Sequence, residues 1–441
     1  MNGLTAPPRA REPTETSRQT LVCSLTVMTD SRAGRLDLAK LLLAVENAPP
    51  VAAADVLGKW LAEALDASEV SFLIADLSGR ALIRLGHAGV HAGVRTLGQE
   101  TAERVPLEGS AHGRALRNQA VEVEVRNGDA RLLAPVTNRG EAIGVLELRL
   151  AGPPDERTLA DVALAAHALA YVIIANRRFT DLYAWGQRSV GLSLAAEIQH
   201  RLLPGAFACE GGQFTLAAWL EPAGEIAGDS FDFALERDTL HLSITDAMGH
   251  DVGASVLATL VVGALRNARR AGLGLTEQAS RADSCLSQHA KRGDYVTGQI
   301  ARIDLRAGTA TIVNAGHLPP LRLRDGRVES IELAADTPFG LYPGEQYRSQ
   351  QLPLRPGDRL LFITDGVLER NASTVNLEAL MIEGADMHPR EAVQHVVLAL
   401  LQATKGRLKD DATAMCVDWH GGPPRERSTQ SGANDPSAEG S

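Results

Sequence analysis

The sequence predicts an α+β protein whose second half is an α-β-β-α sandwich, two antiparallel sheets flanked by helices, preceded by a smaller α+β domain and a linker helix. Three observations predict it. Between residues 213 and 419, short apolar runs bounded by turn residues are interrupted by two long helical patterns. Residues 36–175 hold hairpin signals and an alternating run between helical patterns. A periodic stretch between these parts ends at Pro204-Gly205, a helix stop.

Composition sets the bounds. A chain of 441 residues suggests two or three domains. With 44% hydrophobic and 22% charged residues it reads as soluble and globular. A formal net charge of −10 argues against a general nucleic-acid binder. Cys23, Cys209, Cys285 and Cys416 are scattered without metal spacing, as expected in a reducing cytosol. No stretch approaches the roughly 20 apolar residues that cross a bilayer, and the run at 21–28 is too short for a signal core. A cytoplasmic location is the expectation.

Taken in order, residues 1–35 are rich in Pro, Thr, Ser and Arg and read as a disordered tail, as do residues 421–441. In the domain at 36–175, residues 51–65 predict a helix and residues 70–75 and 81–85 a hairpin across Asp76-Leu77-Ser78-Gly79-Arg80. Residues 121–125 alternate strictly, as a half-buried strand does. Residues 131–136 and 142–150 pair around Asn138-Arg139-Gly140, and residues 158–175 form an apolar helix behind Asp155 and Glu156. The segment 176–204 reads as a connecting helix, with Leu192, Ala195, Ile198 and Leu202 at helical spacing.

In the domain at 205–420, residues 252–270 are helical and end in Arg269, Arg270 and Gly272. Residues 389–404 form an amphipathic helix. Strands at 297–305, 310–314, 321–323 and 328–333 make a meander through turns at Arg306-Ala307-Gly308 and Asp325-Gly326.

Four acidic motifs carry the chemistry: Gly228-Asp229-Ser230-Phe231-Asp232, Thr245-Asp246-Ala247-Met248-Gly249-His250, Thr364-Asp365-Gly366 and Lys409-Asp410-Asp411-Ala412-Thr413. Apolar runs lead into Asp246 and Asp365, and another follows Asp410-Asp411. Strand ends can bring such residues together from distant parts of a chain. Gathered carboxylates repel one another unless a cation sits among them, which predicts an all-oxygen site for Mg²⁺ or Mn²⁺. Each aspartate taken singly could be a helix cap, a turn residue or a solvated loop residue.

Two resemblances follow from the motifs. Residues 109–119, Leu133-Ala134-Pro135-Val136 and Ile143-Gly144-Val145-Leu146-Glu147 resemble a GAF domain, a module that often binds a small ligand and elsewhere only dimerises. Residues 198–418 resemble the SpoIIE-like (RsbU-like) branch of the PPM-type metal-dependent serine/threonine phosphatases. The motifs that carry it are residues 199–204, the four acidic motifs, Asn314-Ala315-Gly316-His317-Leu318-Pro319-Pro320 and Thr337-Pro338-Phe339-Gly340-Leu341, in the family's order.

The second resemblance implies two divalent cations, Mn²⁺ or Mg²⁺. Asp246 would bind both, with the carbonyl of Ala247 beside it; Asp229 and Asp410 would complete one shell, and Asp365 would bind the other ion. Asp246 and Asp365 would act in catalysis through a water held by the metals. Asp232, Gly366, Asp411 and His250 are candidates to stand behind these ligands, and Glu369 is a further one. His250 lies four residues past Asp246, whereas the family's general-acid histidine lies two past its aspartate, so a structural role is favoured for it and for His317. The departures from the family pattern, Gly249-His250-Asp251 and Ser230-Phe231, bear on substrate choice.

The implied protein is a bacterial signalling phosphatase under a GAF-like sensor. Its substrate would be a phosphoserine or phosphothreonine on a regulatory protein, an anti-sigma factor antagonist above all. A homodimer formed through the apolar and connecting helices is the expected assembly, with a small-molecule ligand on the sensor and no nucleic-acid or membrane partner. Two alternatives stay open: a phosphatase-fold binding module that does not hydrolyse, and a small-molecule receptor with a weak output.

Overall fold

A computed structural model describes residues 36–89, 103–188, 192–223, 228–249, 251–342, 344, 346–368 and 375–423. Residues 1–35 and most of the C-terminal tail lie outside the described residues, so the expectation of disorder there is not addressed.

The N-terminal elements are α1 (Leu38–Glu46), α2 (Ala53–Leu65), β1 (Ala67–Ala75), β2 (Ala81–Gly89), β3 (Arg104–Pro106), α3 (Ala111–Asn118), β4 (Glu122–Arg126), β5 (Asp129–Asn138), β6 (Glu141–Leu150) and α4 (Glu156–Asn176). The strands form one antiparallel sheet in the order β3-β2-β1-β6-β5-β4. The β5–β6 hairpin closes through two residues of positive φ, Arg139 at 49° and Gly140 at 82°, the primed turn that matches strand twist. Helices α1, α2 and α4 bury one face of the sheet with Leu57, Leu61, Leu132, Leu146 and Leu169. Helix α3 covers the other with Ala115 and Leu116 against Leu73, Leu133 and Val145.

Helix α4 corrects one expectation. Its mean hydropathy of 1.8 over a long window makes it, by length and composition alone, apolar enough to cross a membrane. Half of that window is buried against the molecule, where Val162, Ala165, Leu169 and Ile173 join the core. Asp161 and His167 interrupt the apolar run in the sequence, yet the helix stays apolar on average. In this fold α4 serves as a core helix. Its start is fixed by Asp155, which accepts a hydrogen bond from the Thr158 amide at 2.7 Å.

The connecting segment is also not one helix. It holds α5 (Leu182–Gln187) and α6 (Leu194–Leu202), and Arg188 leaves helical geometry between them. Ser193 caps α6 by accepting from the Ala196 amide, so a new helix starts there.

The C-terminal elements are β7 (Ala208–Glu210), β8 (Phe214–Glu221), β9 (Asp229–Leu235), β10 (Thr239–Ala247), α7 (Val252–Arg270), α8 (Leu275–His289), β11 (Val296–Asp304), β12 (Thr309–Ala315), β13 (Leu321–Arg324), β14 (Arg327–Ser330), β15 (Gln350–Pro353), β16 (Asp358–Ile363), α9 (Leu377–Glu383), α10 (Pro389–Thr404) and β17 (Ala412–Trp419). Two antiparallel sheets result, β15-β12-β11-β10-β9 and β14-β13-β16-β17-β8-β7.

Their facing sides meet in one core of Phe214, Phe231, Ile244, Ile312, Phe362 and Val417. Helices α7 and α8 cover the outside of the first sheet through Ala258, Val262, Ala279 and Leu286. Helices α9 and α10 cover the second through Met381, Val393, Val397 and Leu400. The order of layers is helix, sheet, sheet, helix. Helix α6 belongs to this half, because its Leu202 lies in the α7 core and the Ser255 hydroxyl donates to the Ala195 carbonyl.

Candidate metal centre and catalytic site

Strand alternation builds the site. Leu240, Leu242 and Ile244 of β10 point into the core between the sheets, so Asp246 continues the same face at the strand's end. Asp229 opens β9 and stands directly opposite Asp246 in the antiparallel ladder. On the other sheet, β16 runs out into Thr364 and Asp365, while Asp410 and Asp411 lead into β17. Thr364 and Thr413 tie these two segments: the Thr364 amide donates to the Thr413 carbonyl at 3.1 Å, and the Thr413 amide to the Thr364 hydroxyl oxygen at 2.9 Å.

Hydrogen bonds then join the two sheets at this end. Both hydroxyls, of Thr364 and of Thr413, donate to Asp229 Oδ2 at 2.6 Å. Asp411 Oδ1 accepts from the Ala223 amide at 2.9 Å, and its Oδ2 accepts from the Gly228 amide at 3.2 Å. Gln199 of α6 donates to Asp411 Oδ2 at 2.5 Å and to the Asp229 carbonyl at 3.0 Å. Two glycines permit the close approach. A Cβ on Gly366 would stand 2.0 Å from the Asp411 carbonyl oxygen, and one on Gly228 2.6 Å from the carbonyl oxygen of Ala247.

The electrostatics follow from burial and crowding. Burial, then the charges of Asp365, Asp410 and Asp411, push the Asp246 carboxyl up to about 7. Burial, then Asp246 and Asp411, raise Asp229 well above the usual carboxylate range. Burial also raises Asp411, against the hydrogen bonds from Ala223, Gln199 and Gly228 that favour its charged form. Among the described residues, no group of three or more His, Cys, Asp or Glu side chains is arranged, as it stands, to hold a metal ion. The donors are nonetheless the carboxylate and carbonyl oxygens that suit a hard cation. Such a cation keeps several waters and needs only one or two carboxylates. A positive charge among these aspartates would relieve the repulsion that raises Asp246.

The structure therefore brings Asp229, Asp246, Ala247, Asp365, Gly366, Asp410 and Asp411 to one end of the sandwich. It separates Asp232 from them. That residue lies on the opposite face of β9, where its carboxylate accepts from Arg266 at 2.7 Å and from Arg269 at 2.9 Å, both on α7. Asp232 is a clamp between helix and sheet and does not stand behind the cluster. His250 and Glu369 lie outside the described residues. His317 is structural: burial lowers its pKa to about 4, and its ring nitrogens pair with the Thr297 hydroxyl and the Ile363 carbonyl.

Gln199, Thr364 and Thr413 lie within motifs the sequence marks, but the sequence assigns none of them a role in the site. For Gln199 a signal was present, since it falls on the same helical face as Ala195 and Leu202, and a polar residue on a buried face needs a partner.

Comparison with known proteins adds the following. The sequence profile of the family described as Stage II sporulation protein E (SpoIIE) matches residues 236–420, less than half of the chain. The phosphoserine phosphatase RsbU of Bacillus subtilis (strain 168) is 21% identical over 233 residues, which cover 51% of this chain and 69% of RsbU. The phosphoserine phosphatase RsbP of the same organism is 24% identical over 187 residues, covering 41% of this chain and 46% of RsbP. Among solved structures, that of the RsbU and RsbW domains of Rv1364c from Mycobacterium tuberculosis aligns with a TM-score of 0.42 at 26% identity. That alignment covers 48% of this chain and 62% of the solved one.

Proposed function

We propose that residues 205–420 form a metal-dependent protein serine/threonine phosphatase of the PPM type. The observation that carries this reading is the convergence of Asp229, Asp246, Asp365 and Asp410 from four separate segments onto one end of a two-sheet sandwich. The match of residues 236–420 to the SpoIIE family supports it, as does similarity to two proteins named phosphoserine phosphatases. The substrate in this reading is a phosphoserine or phosphothreonine ester on a regulatory protein, an anti-sigma factor antagonist as the family resemblance implies.

Asp229, Asp246, the Ala247 carbonyl, Asp365 and Asp410 would hold two divalent cations, Mn²⁺ or Mg²⁺. Bound there, the cations would supply an activated water and neutralise charge on the phosphoryl oxygens. The chain's own work is to hold the ligands in place. Thr364 and Thr413 fix Asp229 Oδ2, and the other oxygen of that carboxylate would serve a cation. Gln199 and the amides of Ala223 and Gly228 fix Asp411, so the preceding Asp410 is presented from an anchored turn. His317, neutral near pH 7 and engaged at both ring nitrogens, is not the proton donor to a leaving serine oxygen.

Residues 36–175 would act on this centre as a GAF-like sensor. The test of the catalytic reading is hydrolysis of a phosphoserine peptide by the full chain with Mn²⁺ and with EDTA. Turnover that needs the metal and disappears in Asp246→Asn supports it; metal-independent turnover refutes it.

A further inference from the structure

Among the described residues several polar contacts join the N-terminal domain to the C-terminal half, and one of them ends beside the acidic cluster. Arg390, buried at the start of α10, donates to the Leu116 carbonyl at 2.9 Å and to the Gly140 carbonyl at 2.7 Å. Glu141 accepts from the amides of Phe207 and Ala208, each at 2.8 Å. The Glu210 amide also donates to the Arg139 carbonyl at 3.0 Å, and Arg177 to the Gly205 carbonyl at 2.7 Å, and together these contacts hold the halves. A further contact is Arg80, in the β1–β2 turn, donating to Glu221 Oε1 at 3.0 Å.

Arg80 is well aimed because its turn is rigid. Asp76 Oδ1 accepts from the amides of Arg80 and Ala81, each at 3.2 Å, and from the Ser78 hydroxyl at 2.9 Å. The turn also lies flat on the C-terminal half. A Cβ on Gly79 would stand 2.9 Å from Trp219 Cη2 and 2.8 Å from Gln394 Nε2. Glu221 is the last residue of β8 and stands opposite Ala412, the residue after Asp411. Two residues beyond Glu221, the Ala223 amide donates to Asp411 Oδ1 at 2.9 Å. The side chain of Glu221 is 9% exposed and that of Arg80 41%, so the carboxylate end of the pair is fixed and largely dry.

We infer that Arg80 is a positioning residue for the acidic cluster, acting through Glu221 to set where β8 ends and so how the Ala223 amide meets Asp411. This inference rests on the metal-centre reading above for its purpose, but the coupling itself concerns only the end of β8 and the Ala223 amide. The N-terminal domain would thereby contribute a side chain to the order of the C-terminal site. A change in the β1–β2 turn would reach Asp410 and Asp411 through one ion pair and one strand end.

The test uses the full chain in EDTA and compares hydrogen exchange at the Ala223 and Gly228 amides in wild type, in Arg80→Ala, and in the charge-exchanged pair Arg80→Glu with Glu221→Arg. Arg390 and Glu141 keep the halves docked in all three. Exchange at these two amides is expected to speed by about two- to fivefold in Arg80→Ala, the range for losing one partly exposed ion pair, and to return toward wild type in the exchanged pair. The Mn²⁺ dissociation constant measured by calorimetry is expected to rise by about the same factor in Arg80→Ala.

Unchanged exchange at Ala223 and Gly228 overturns the inference. So does a uniform rise across both sheets, which would report only lost stability, and so does faster local exchange with an unaltered Mn²⁺ constant. A wild-type chain that binds no Mn²⁺ and hydrolyses nothing would instead refute the phosphatase reading. The exchange comparison would still decide whether Arg80 positions the end of β8.

Discussion

Asp229 and Asp246 face each other across one rung of the β9–β10 ladder, two carboxylates in directly paired positions at a buried strand end. Like charges placed directly opposite destabilise a sheet, and burial adds to that cost. A fold that keeps such a pair has a use for it that stability alone does not supply.

The first prediction concerns that cost. In EDTA, Asp246→Asn should melt above wild type by about 2–4 °C, the shift that 1 kcal/mol brings to a domain of this size. With Mn²⁺ the order should reverse, because wild type gains binding energy that the variant lacks. Scanning calorimetry of both proteins, with and without metal, checks this.

Asp411 has a different role. Its carboxylate satisfies Gln199 and the amides of Ala223 and Gly228 in a buried place. Asp411→Ala strands those donors and should cost about 1–3 kcal/mol in urea unfolding, even without metal. Asp365→Ala, at an exposed position, should cost less than about 0.5 kcal/mol in the same assay while abolishing turnover.

Much of this architecture was legible in the sequence. Helices α7 and α10 begin and end where their caps and terminal residues put them, at Asp251, Arg269-Arg270 and Pro389. The strand-end aspartates were legible because an apolar run followed by Asp marks where a side chain leaves the core. Helix α8 was not, since its buried face includes Ala279 and Ala282 and the polar Gln278 and Asp283, a weak apolar period. Asp283 earns its burial only in three dimensions, by accepting from the Gly340 and Gly344 amides. The same holds for Thr364, Thr413, Arg80 and Arg390, whose partners lie far along the chain and carry no local signal.

Asp232 supplies a third prediction, that an aspartate close in sequence to the cluster can be removed without weakening the metal. Asp232→Asn should destabilise the chain by about 3 kcal/mol through the uncompensated arginines of α7. The Mn²⁺ dissociation constant of the folded variant should stay within about twofold of wild type, since distant sites act independently. Calorimetric titration separates the two effects.

The fourth prediction is a pH dependence in the N-terminal domain. Burial alone would raise the Glu147 carboxyl, but hydrogen bonds from His112 and Arg131 and the charge of Arg84 outweigh it and hold its pKa far below the usual range. A depressed folded pKa gives stability that is full above the unfolded value of about 4.3 and is lost as pH falls through the folded one. Acid should therefore destabilise wild type progressively below about pH 4. Glu147→Gln should be less stable at pH 7 and flatter in that window, as followed by denaturant unfolding at each pH.

The central claim is that the strand-end aspartates make this chain a metal-dependent phosphoester hydrolase. Its most direct test is release of phosphate from a phosphoserine peptide by the full chain, in Mn²⁺ and in EDTA, beside Asp365→Asn. Turnover that requires Mn²⁺ and is lost in the variant is the predicted result. Turnover that survives both EDTA and the substitution would contradict the account.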